Sequence, residues 1–237
     1  QPMDEGTFVS ELLEGQPYIP KYFPFSVEMN RKGAPDFEES VKNVRRIKSV
    51  DEIKSGTLII DGRPAELYKK GHLKNSINMP NDSKFETWLG SIVAPEEPFY
   101  LIADNEEELD ILIRKAAKIG YEAQIVAGLA PQEIIGEPSD QLDVPDFARH
   151  HSDYRIIDVR QPNEAETPVF EGALNIPLSE LREKAPEFSS DKPVVVHCAG
   201  GYRSAIGSSI LKQFMQNDQQ VLDLGEEVKK YQEAATA

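Results

Sequence analysis

The amino-acid sequence predicts an α/β protein made of two domains that share one fold, each a mostly parallel sheet flanked by helices. Three observations carry this prediction: a pattern that recurs at a fixed spacing, strand-like apolar runs that alternate with amphipathic helical stretches, and enough apolar residues for two cores. Of the 237 residues, 39% are hydrophobic, which suits two domains of ordinary size.

The recurring pattern divides the chain. Asp158 follows Asp61 by 97 residues, and the same offset separates Arg63 from Arg160, Asn78 from Asn175 and Pro80 from Pro177. This offset is the length of one small domain and is far longer than a solenoid repeat. We therefore expect an N-terminal arm over residues 1–43, a first domain over 44–137 and a second domain over 138–237.

Each copy supplies its own strands and helices. The strand-like runs are 58–60 and 99–102 in the first copy, and 156–157 and 194–196 in the second. The later run of each copy leads into a helical pattern. The apolar positions of these two helices are Leu109, Leu112, Ile113 and Ala116 in the first copy and Ile206, Ile210, Leu211, Phe214 and Met215 in the second. Open parallel sheets bind ligands at the carboxyl ends of their strands, so a site is expected there.

The only cysteine of the chain, Cys198, stands almost directly after one of these strand-like runs. It belongs to the sequence His197-Cys198-Ala199-Gly200-Gly201-Tyr202-Arg203-Ser204. A glycine-bearing loop between a buried strand and a helix lets backbone N–H groups converge on one point. The N-terminus of the helix and the cation of Arg203 both favour the thiolate form of a cysteine. The pattern predicts a catalytic thiolate, because an ordinary core cysteine does not need the glycines and the arginine behind it.

The run 197–204 resembles the active-site loop of the rhodaneses, a family of sulfurtransferases with a cysteine, a short glycine-containing loop and an arginine five positions on. Further family patterns lie upstream, and they are Asp158-Val159-Arg160, Glu164 and Glu171-Gly172-Ala173-Leu174-Asn175-Ile176-Pro177. The histidine that usually precedes the last pattern is absent, because 168–170 read Pro-Val-Phe. Cysteine-dependent phosphatases have a loop one residue longer, C-x5-R, and are the alternative enzyme class.

The resemblance implies a sulfurtransferase that moves sulfane sulfur from thiosulfate, a polysulfide or a thiol persulfide to a thiol, sulfite or cyanide acceptor through a persulfide on Cys198. It implies Cys198 and Arg203 as catalytic residues. The predicted substrate-binding residues are Ala199, Gly200, Gly201, Tyr202, Ser204 and Arg160. Ala199 stands where thiosulfate-preferring relatives have a basic residue, which favours a thiol persulfide as the donor. Two alternatives stay open: a persulfide carrier that serves a partner enzyme, and a purely structural role for Asp158 and Arg160.

The first copy departs from the pattern where the chemistry would occur. Its second strand-like run leads into Ala103-Asp104-Asn105-Glu106-Glu107-Glu108, without cysteine or arginine. Ala103 or Asp104 stands in the place of the cysteine, and the acidic run would repel an anionic donor. We expect these acids at the start of a helix, where its dipole favours them. The first domain is therefore predicted to keep the fold without the catalytic loop.

Residues 1–43 belong to neither copy. The proline-rich, aromatic run 15–25 and the following Met29-Asn30-Arg31 show no clear strand or long-helix periodicity. This stretch resembles the C-terminal tail of metallo-β-lactamase-fold persulfide dioxygenases. The resemblance implies a metallo-β-lactamase-fold domain as an N-terminal fusion partner, which would bind any zinc or iron. The alternative is an arm that packs across its own two domains.

Composition limits the remaining partners and cofactors. The formal net charge is -15 without a basic cluster, which argues against a nucleic-acid partner. No apolar run approaches the length of a membrane span and no signal peptide is recognisable, so we expect a cytoplasmic protein without a membrane partner. The four histidines show no ligand spacing with carboxylates, so no metal is expected in this segment. The only covalent group expected is the persulfide on Cys198.

Overall fold

The computed structural model describes residues 4, 6–9, 18–131, 136–216 and 218–236 of the chain. Within these residues it contains two four-stranded sheets, one in each copy of the repeat, and their strand pairs are parallel. Helices flank both sheets, so the predicted α/β fold with two like domains is confirmed. The predicted limits of the arm and of the two domains stay a prediction.

The first domain has the strand order β2-β1-β3-β4. Its strands are β1 Leu58–Asp61, β2 Ser76–Asn78, β3 Phe99–Ile102 and β4 Ile125–Leu129. Helix α1, Tyr22–Lys32, precedes it, and its own helices are α2 Phe37–Lys42, α3 Ala65–Lys70, α4 Phe85–Ile92 and α5 Glu106–Ala117. The pairing of β1 with both neighbours sets Asp61 beside Asn78 and Ile102, so the polar residues meet at the carboxyl edge.

The second domain repeats this arrangement in the order β6-β5-β7-β8. Its strands are β5 Arg155–Asp158, β6 Leu174–Asn175, β7 Val194–His197 and β8 Val221–Asp223. Its helices are α6 Val144–His150, α7 Pro162–Ala165, α8 Leu178–Lys184, α9 Tyr202–Phe214 and α10 Val228–Thr236, with a 3-10 turn at Gly225–Glu227. The register of β5 sets Asp158 beside His197, which brings the ends of these strands to one edge of the sheet.

The long helices behind the sheets follow the predicted apolar pattern with two exceptions, Phe214 and Met215. In α5 the four predicted core residues are all buried, and in α9 so are Ile206, Ile210 and Leu211. Phe214 is instead 41% exposed, and Met215 is only partly buried, because α9 ends at Phe214 and the backbone is extended at Met215. No helix in the described ranges combines the length and the apolar character needed to cross a membrane.

The two domains pack against each other through α9 and α8. One cluster of buried apolar residues extends through both domains and includes Ile60 and Val196 from the two sheets. The backbone N–H of Asn78 donates to Ser209 Oγ on α9 over 2.9 Å. Arg182 on α8 donates both guanidinium ends to Glu97, at 2.6 Å each. Helix α9 therefore touches the first domain directly, and its N-terminal end follows the Cys198 loop.

The N-terminal arm contains helix α1, where the sequence pattern showed no long-helix periodicity. Pro24 is tolerated because it lies in the first turn, where a missing N–H leaves no intrahelical bond unmade. Tyr22 and Phe25 pack against the shared core, and Lys21 pairs with Glu183 of the second domain over 2.7 Å. The described part of the arm thus packs across both domains. Residues 15–17 of the proline-rich run lie outside the described residues.

Candidate active site

Cys198 lies at the carboxyl end of β7, immediately before the loop that leads into α9. The residue is only 1% exposed, and its Sγ accepts the backbone N–H of Gly201 over 3.2 Å. The loop therefore folds back over the sulfur atom. A backbone N–H directed at sulfur favours the anionic form of either a thiol or a persulfide.

The two glycines of the loop have different functions. Gly201 has a φ of 100°, and a Cβ at this position would lie 3.0 Å from both Glu226 N and Gly225 C. This backbone shape therefore requires glycine. At Gly200 an added Cβ would meet nothing within 4 Å, so the space above the loop is open. The N-cap of α9 makes no side-chain hydrogen bond, which leaves the first N–H groups of the helix available to an anion.

Arg203, in the first turn of α9, is held by a carboxylate on the other side of the loop. Its two terminal nitrogens donate to the two oxygens of Glu164 over 2.6 and 2.7 Å. These hydrogen bonds raise the pKa of Arg203 and lower the pKa of Glu164, so both groups are charged at neutral pH. The pair fixes a cation beside the loop, and Glu164 keeps its position by accepting the N–H of Gln161 over 3.0 Å.

Asp158 and Arg160 form a buried brace below the loop. The guanidinium of Arg160 binds both oxygens of Asp158, and its Nη2 also donates to the carbonyl of Thr167 over 3.1 Å. Asn175 Nδ2 donates to the carbonyls of Asp158 and Arg160, at 2.9 Å each. The Nε and Nη2 donors of Arg160 are therefore occupied by acceptors within the protein. The contact of Arg160 with substrate stays a prediction.

His197 is fully buried, so its ring does not reach the exposed face of the loop where a proton could be transferred to a substrate. Its Nε2 lies 3.8 Å from Asp158 Oδ2, which is too long for a hydrogen bond, and this atom has no partner within the described part of the chain. Burial lowers the pKa of His197, so the ring is neutral at neutral pH. It packs edge-on against Phe170, as expected of a core histidine.

The other predicted substrate-binding residues surround Cys198 in three ways. Ala199 and Gly200 are exposed at the crest of the loop, and the carbonyl of Ala199 accepts from Gln232 over 3.3 Å. Tyr202 sends its hydroxyl to the carbonyl of Pro80 in the first domain over 3.1 Å. Ser204 is buried and donates to the carbonyl of Gly201 over 2.9 Å, which stiffens the loop from behind. Their contacts with substrate stay predictions.

The first domain ends its equivalent strand differently. Ile102 pairs with Asp61 as His197 pairs with Asp158, so the next residue, Ala103, takes the place of Cys198. Helix α5 starts after Asn105, whose side chain accepts the N–H of Glu108 over 2.9 Å. The acids Glu106, Glu107 and Glu108 occupy the first turn, as the sequence predicted.

Comparison with known proteins agrees with this repeated architecture. The rhodanese-like domain matches the chain twice, over residues 45–128 and 143–234, which together make up well over half of it. The chain belongs to the rhodanese family. The rhodanese resemblance seen at Cys198 in the sequence is thereby confirmed, and the copy without the cysteine is a rhodanese-like domain as well.

Individual relatives match parts of the chain. The uncharacterized protein YqhL of Bacillus subtilis is 38% identical over 68 residues, or 29% of this chain and 54% of YqhL. The chain thus spans about half the length of that relative. A rhodanese-related protein of Thermoplasma volcanium is 33% identical over 40% of this chain and 91% of its own, with a TM-score of 0.34. SseA of Escherichia coli, a 3-mercaptopyruvate sulfotransferase, is 18% identical over 73% of this chain and 93% of its own, with a TM-score of 0.34.

The Cys198 loop of the second domain faces a cleft of about 730 Å³ between the two domains. Gly200, Gly201 and Tyr202 line one side of this interdomain cleft. Its acidic lining residues are Glu66, Asp82, Asp104 and Glu108 from the first domain and Asp223 and Glu226 from the second. Among the charged residues that line it in the described ranges, Lys69 is the cation. The approach to the loop is therefore strongly negative.

The sequence did not assign a partner to Arg203 or a role to Lys69 and Asp223. Glu164 was recognised only as a family position, although its place three residues after Gln161 is the spacing at which a side chain reaches back to the start of a short helix. Lys69 and Asp223 lie 154 positions apart, and no local pattern links them. Only the packing of the two domains brings these two side chains together.

Proposed function

We propose that this protein is a sulfurtransferase that carries sulfane sulfur as a persulfide on Cys198. The observation that carries the proposal is the loop itself: a thiol at the end of a parallel strand, an N–H donated to its sulfur, and an uncapped helix start with a paired arginine beside it. These groups stabilise an anionic sulfur without supplying a base or a metal.

The reaction proceeds in two displacements. The Cys198 thiolate attacks the outer sulfur of a donor R–S–S⁻, the bond between the two donor sulfurs breaks, and R–S⁻ leaves. Cys198 then holds a persulfide, whose terminal sulfur is attacked by sulfite, cyanide or another thiolate. That second attack breaks the new S–S bond, transfers the sulfur and restores the thiolate. In each step one sulfur atom moves from one nucleophile to another, so neither step needs an oxidant or a reductant.

The surrounding groups support both displacements in the same way. The N–H of Gly201 and the first N–H groups of α9 lie where the charge of either the thiolate or the persulfide resides. Arg203 adds a positive charge that stays in place because Glu164 holds both of its ends. We propose that Arg203 orients the incoming donor.

A thiol persulfide suits this cleft better than thiosulfate as the donor. Thiosulfate is a compact dianion, and the acids that line the cleft repel it. Ala199 adds no positive charge at the crest of the loop. The resemblance of the arm to the tail of metallo-β-lactamase-fold persulfide dioxygenases supports the same choice, and we propose such a domain as the N-terminal partner.

Intact mass spectrometry tests this function directly. The native protein and Cys198→Ser are incubated with glutathione persulfide or with thiosulfate, and sulfite or cyanide is then added. We expect a mass increase of about 32 Da on the native chain only, faster from the persulfide, that the acceptor removes. The chain contains no second cysteine, so every adduct on a thiol reports on Cys198.

The other outcomes separate the alternatives. A native chain that loads one sulfur but releases none to small acceptors would indicate a persulfide carrier that needs a partner enzyme. A chain that takes up no sulfur, or the same adduct on Cys198→Ser, would overturn the proposed function. Phosphatase activity would then be measured with an aryl phosphate, although the C-x4-R loop is one residue shorter than that class uses.

A further inference from the structure

We propose that Lys69, in the catalytically inactive first domain, is a positioning residue for the Cys198 loop of the second domain. It acts through Asp223 and the turn that supports Gly201. This proposal rests on the proposed function, because it concerns the reactivity of the same thiol. It gives the inactive domain a specific part in the reaction of the active one.

The first link is an ion pair between the domains. Lys69, near the end of α3, places its Nζ 2.7 Å from Asp223 Oδ2 at the end of β8. The side chain of Asp223 is only 4% exposed and that of Lys69 is 30% exposed. Strand β8 lies next to β7, with Asp223 opposite Val196, two residues before Cys198. A buried carboxylate thus lies one strand away from the thiol and is neutralised from the other domain.

The second link runs from Asp223 to the turn. Its Oδ1 accepts the N–H of Gly225 over 2.9 Å, and Gly225 has a φ of 59°. One carboxylate therefore receives the lysine on one oxygen and fixes a left-handed turn with the other. The turn continues as the 3-10 segment Gly225–Glu227, which leads into α10.

The third link runs from the turn to the loop. The backbone of Gly225 and Glu226 is packed so closely on Gly201 that a Cβ there would lie 3.0 Å from it. Gly201 is the residue whose N–H points at Cys198 Sγ. The place of that N–H therefore depends on the place of the turn, and the place of the turn depends on the Lys69–Asp223 pair.

Loss of the lysine has two consequences for the Cys198 thiol. It leaves a buried carboxylate without its cation, which is unfavourable and drives the side chain to move towards water. Any such movement releases the Gly225 N–H and loosens the turn behind Gly201. The uncompensated negative charge near the carboxyl edge also disfavours a thiolate at Cys198. Both effects lower the reactivity of the thiol.

Three variants test the proposal: Lys69→Met, Lys69→Met with Asp223→Asn, and Arg182→Met. The last is a matched control, because it also removes an ion pair between the domains, Arg182 to Glu97, but beside the start of β3 rather than at the loop. The asparagine of the double variant carries no charge, and its oxygen still accepts the Gly225 N–H. The rates of iodoacetamide alkylation and of sulfur loading from glutathione persulfide are measured on each full chain by intact mass.

We expect Lys69→Met to slow alkylation and the maximal loading rate roughly tenfold with little change in the donor KM. The double variant recovers most of this loss, and Arg182→Met reacts as the native chain does. Equal rates for Lys69→Met and Arg182→Met, or a double variant as slow as the single one, would overturn the proposal. Alkylation does not depend on sulfur transfer, so a chain that shows this pattern in alkylation but loads no sulfur refutes the proposed function alone.

Discussion

The two rhodanese-like domains have the same brace under their loops and different loops above it. In the first domain Arg63 binds both oxygens of Asp61 and the carbonyl of Gly71, as Arg160 binds Asp158 and Thr167 in the second. Asn78 donates to the carbonyls of Asp61 and Arg63 over 3.1 and 3.0 Å, which repeats the bonds of Asn175. The network is present in the first domain without a cysteine, which supports a structural role for it in both domains.

What differs is the use of the helix N-terminus behind each central strand. In the first domain Asn105 caps α5 with its own side chain, and three glutamates fill the first turn. In the second domain Gly201 brings no side chain to α9, and an arginine replaces the acids. The N–H groups and the dipole are satisfied internally in one copy and are left for an external anion in the other. The comparison teaches that the two copies share the fold and differ in the loop and the helix start, where the proposed chemistry would occur.

The largest expected effect is on stability, and it comes from removing the arginine of either brace. We expect Arg63→Met and Arg160→Met each to lower the free energy of unfolding by about 3–5 kcal/mol, because each leaves a buried carboxylate unpaired. Urea unfolding measures the loss, and sulfur loading of the protein that remains folded is measured beside it. If Arg160→Met abolishes loading while it destabilises the chain far less than Arg63→Met does, then Arg160 contacts substrate and the two braces are not equivalent.

A smaller effect is expected from the ion pair that only the second domain has. Glu164→Gln leaves Arg203 without its fixed partner, and we expect sulfur loading to slow by roughly fivefold, since the pair is partly exposed. The exposed neighbour Glu166→Gln is the matched control and should load as the native chain does. An unchanged rate in Glu164→Gln would show that Arg203 needs no anchor.

The same variant has a pH signature whose sign follows from the pKa of Glu164. The hydrogen bonds from Arg203 lower this pKa in the folded protein. The pair therefore stabilises the fold above the unfolded pKa of about 4.3, and this contribution is lost as the pH falls through the lower folded pKa. Thermal unfolding across that acidic range should show a shallower loss of stability in Glu164→Gln than in the native chain.

The smallest effect concerns the acidic wall of the cleft, formed by the first-domain residues Glu66, Asp82, Asp104 and Glu108. We expect Asp104→Asn with Glu108→Gln to raise the rate of loading from thiosulfate about two- to threefold at low ionic strength, because repulsion of the dianion falls. Added salt should remove the difference. Glu107→Gln is the control, since this residue is exposed outside the lining of the cleft. An increase that persists in high salt would contradict an electrostatic cause.

Much of the fold was determined by local sequence. The 97-residue offset, the β-branched runs before Cys198 and the apolar faces of α5 and α9 predicted two parallel α/β domains, because each pattern reflects the periodicity of one element. The loop 197–204 predicted the place of the thiol, since its glycines and arginine are neighbours along the chain. Helix α1 was not predicted, because it contributes no fully buried residue and therefore has little periodicity to read.

Only the tertiary structure decided what surrounds that loop. It placed Ala103 rather than Asp104 opposite Cys198, because strand register is set by pairing across the sheet. It brought Glu164 to Arg203, Lys69 to Asp223 and the acidic wall to the cleft, all through contacts between residues far apart in sequence. Backbone shape and side-chain periodicity are local and can be read from the chain. The electrostatic environment of the thiol depends on how the two domains pack.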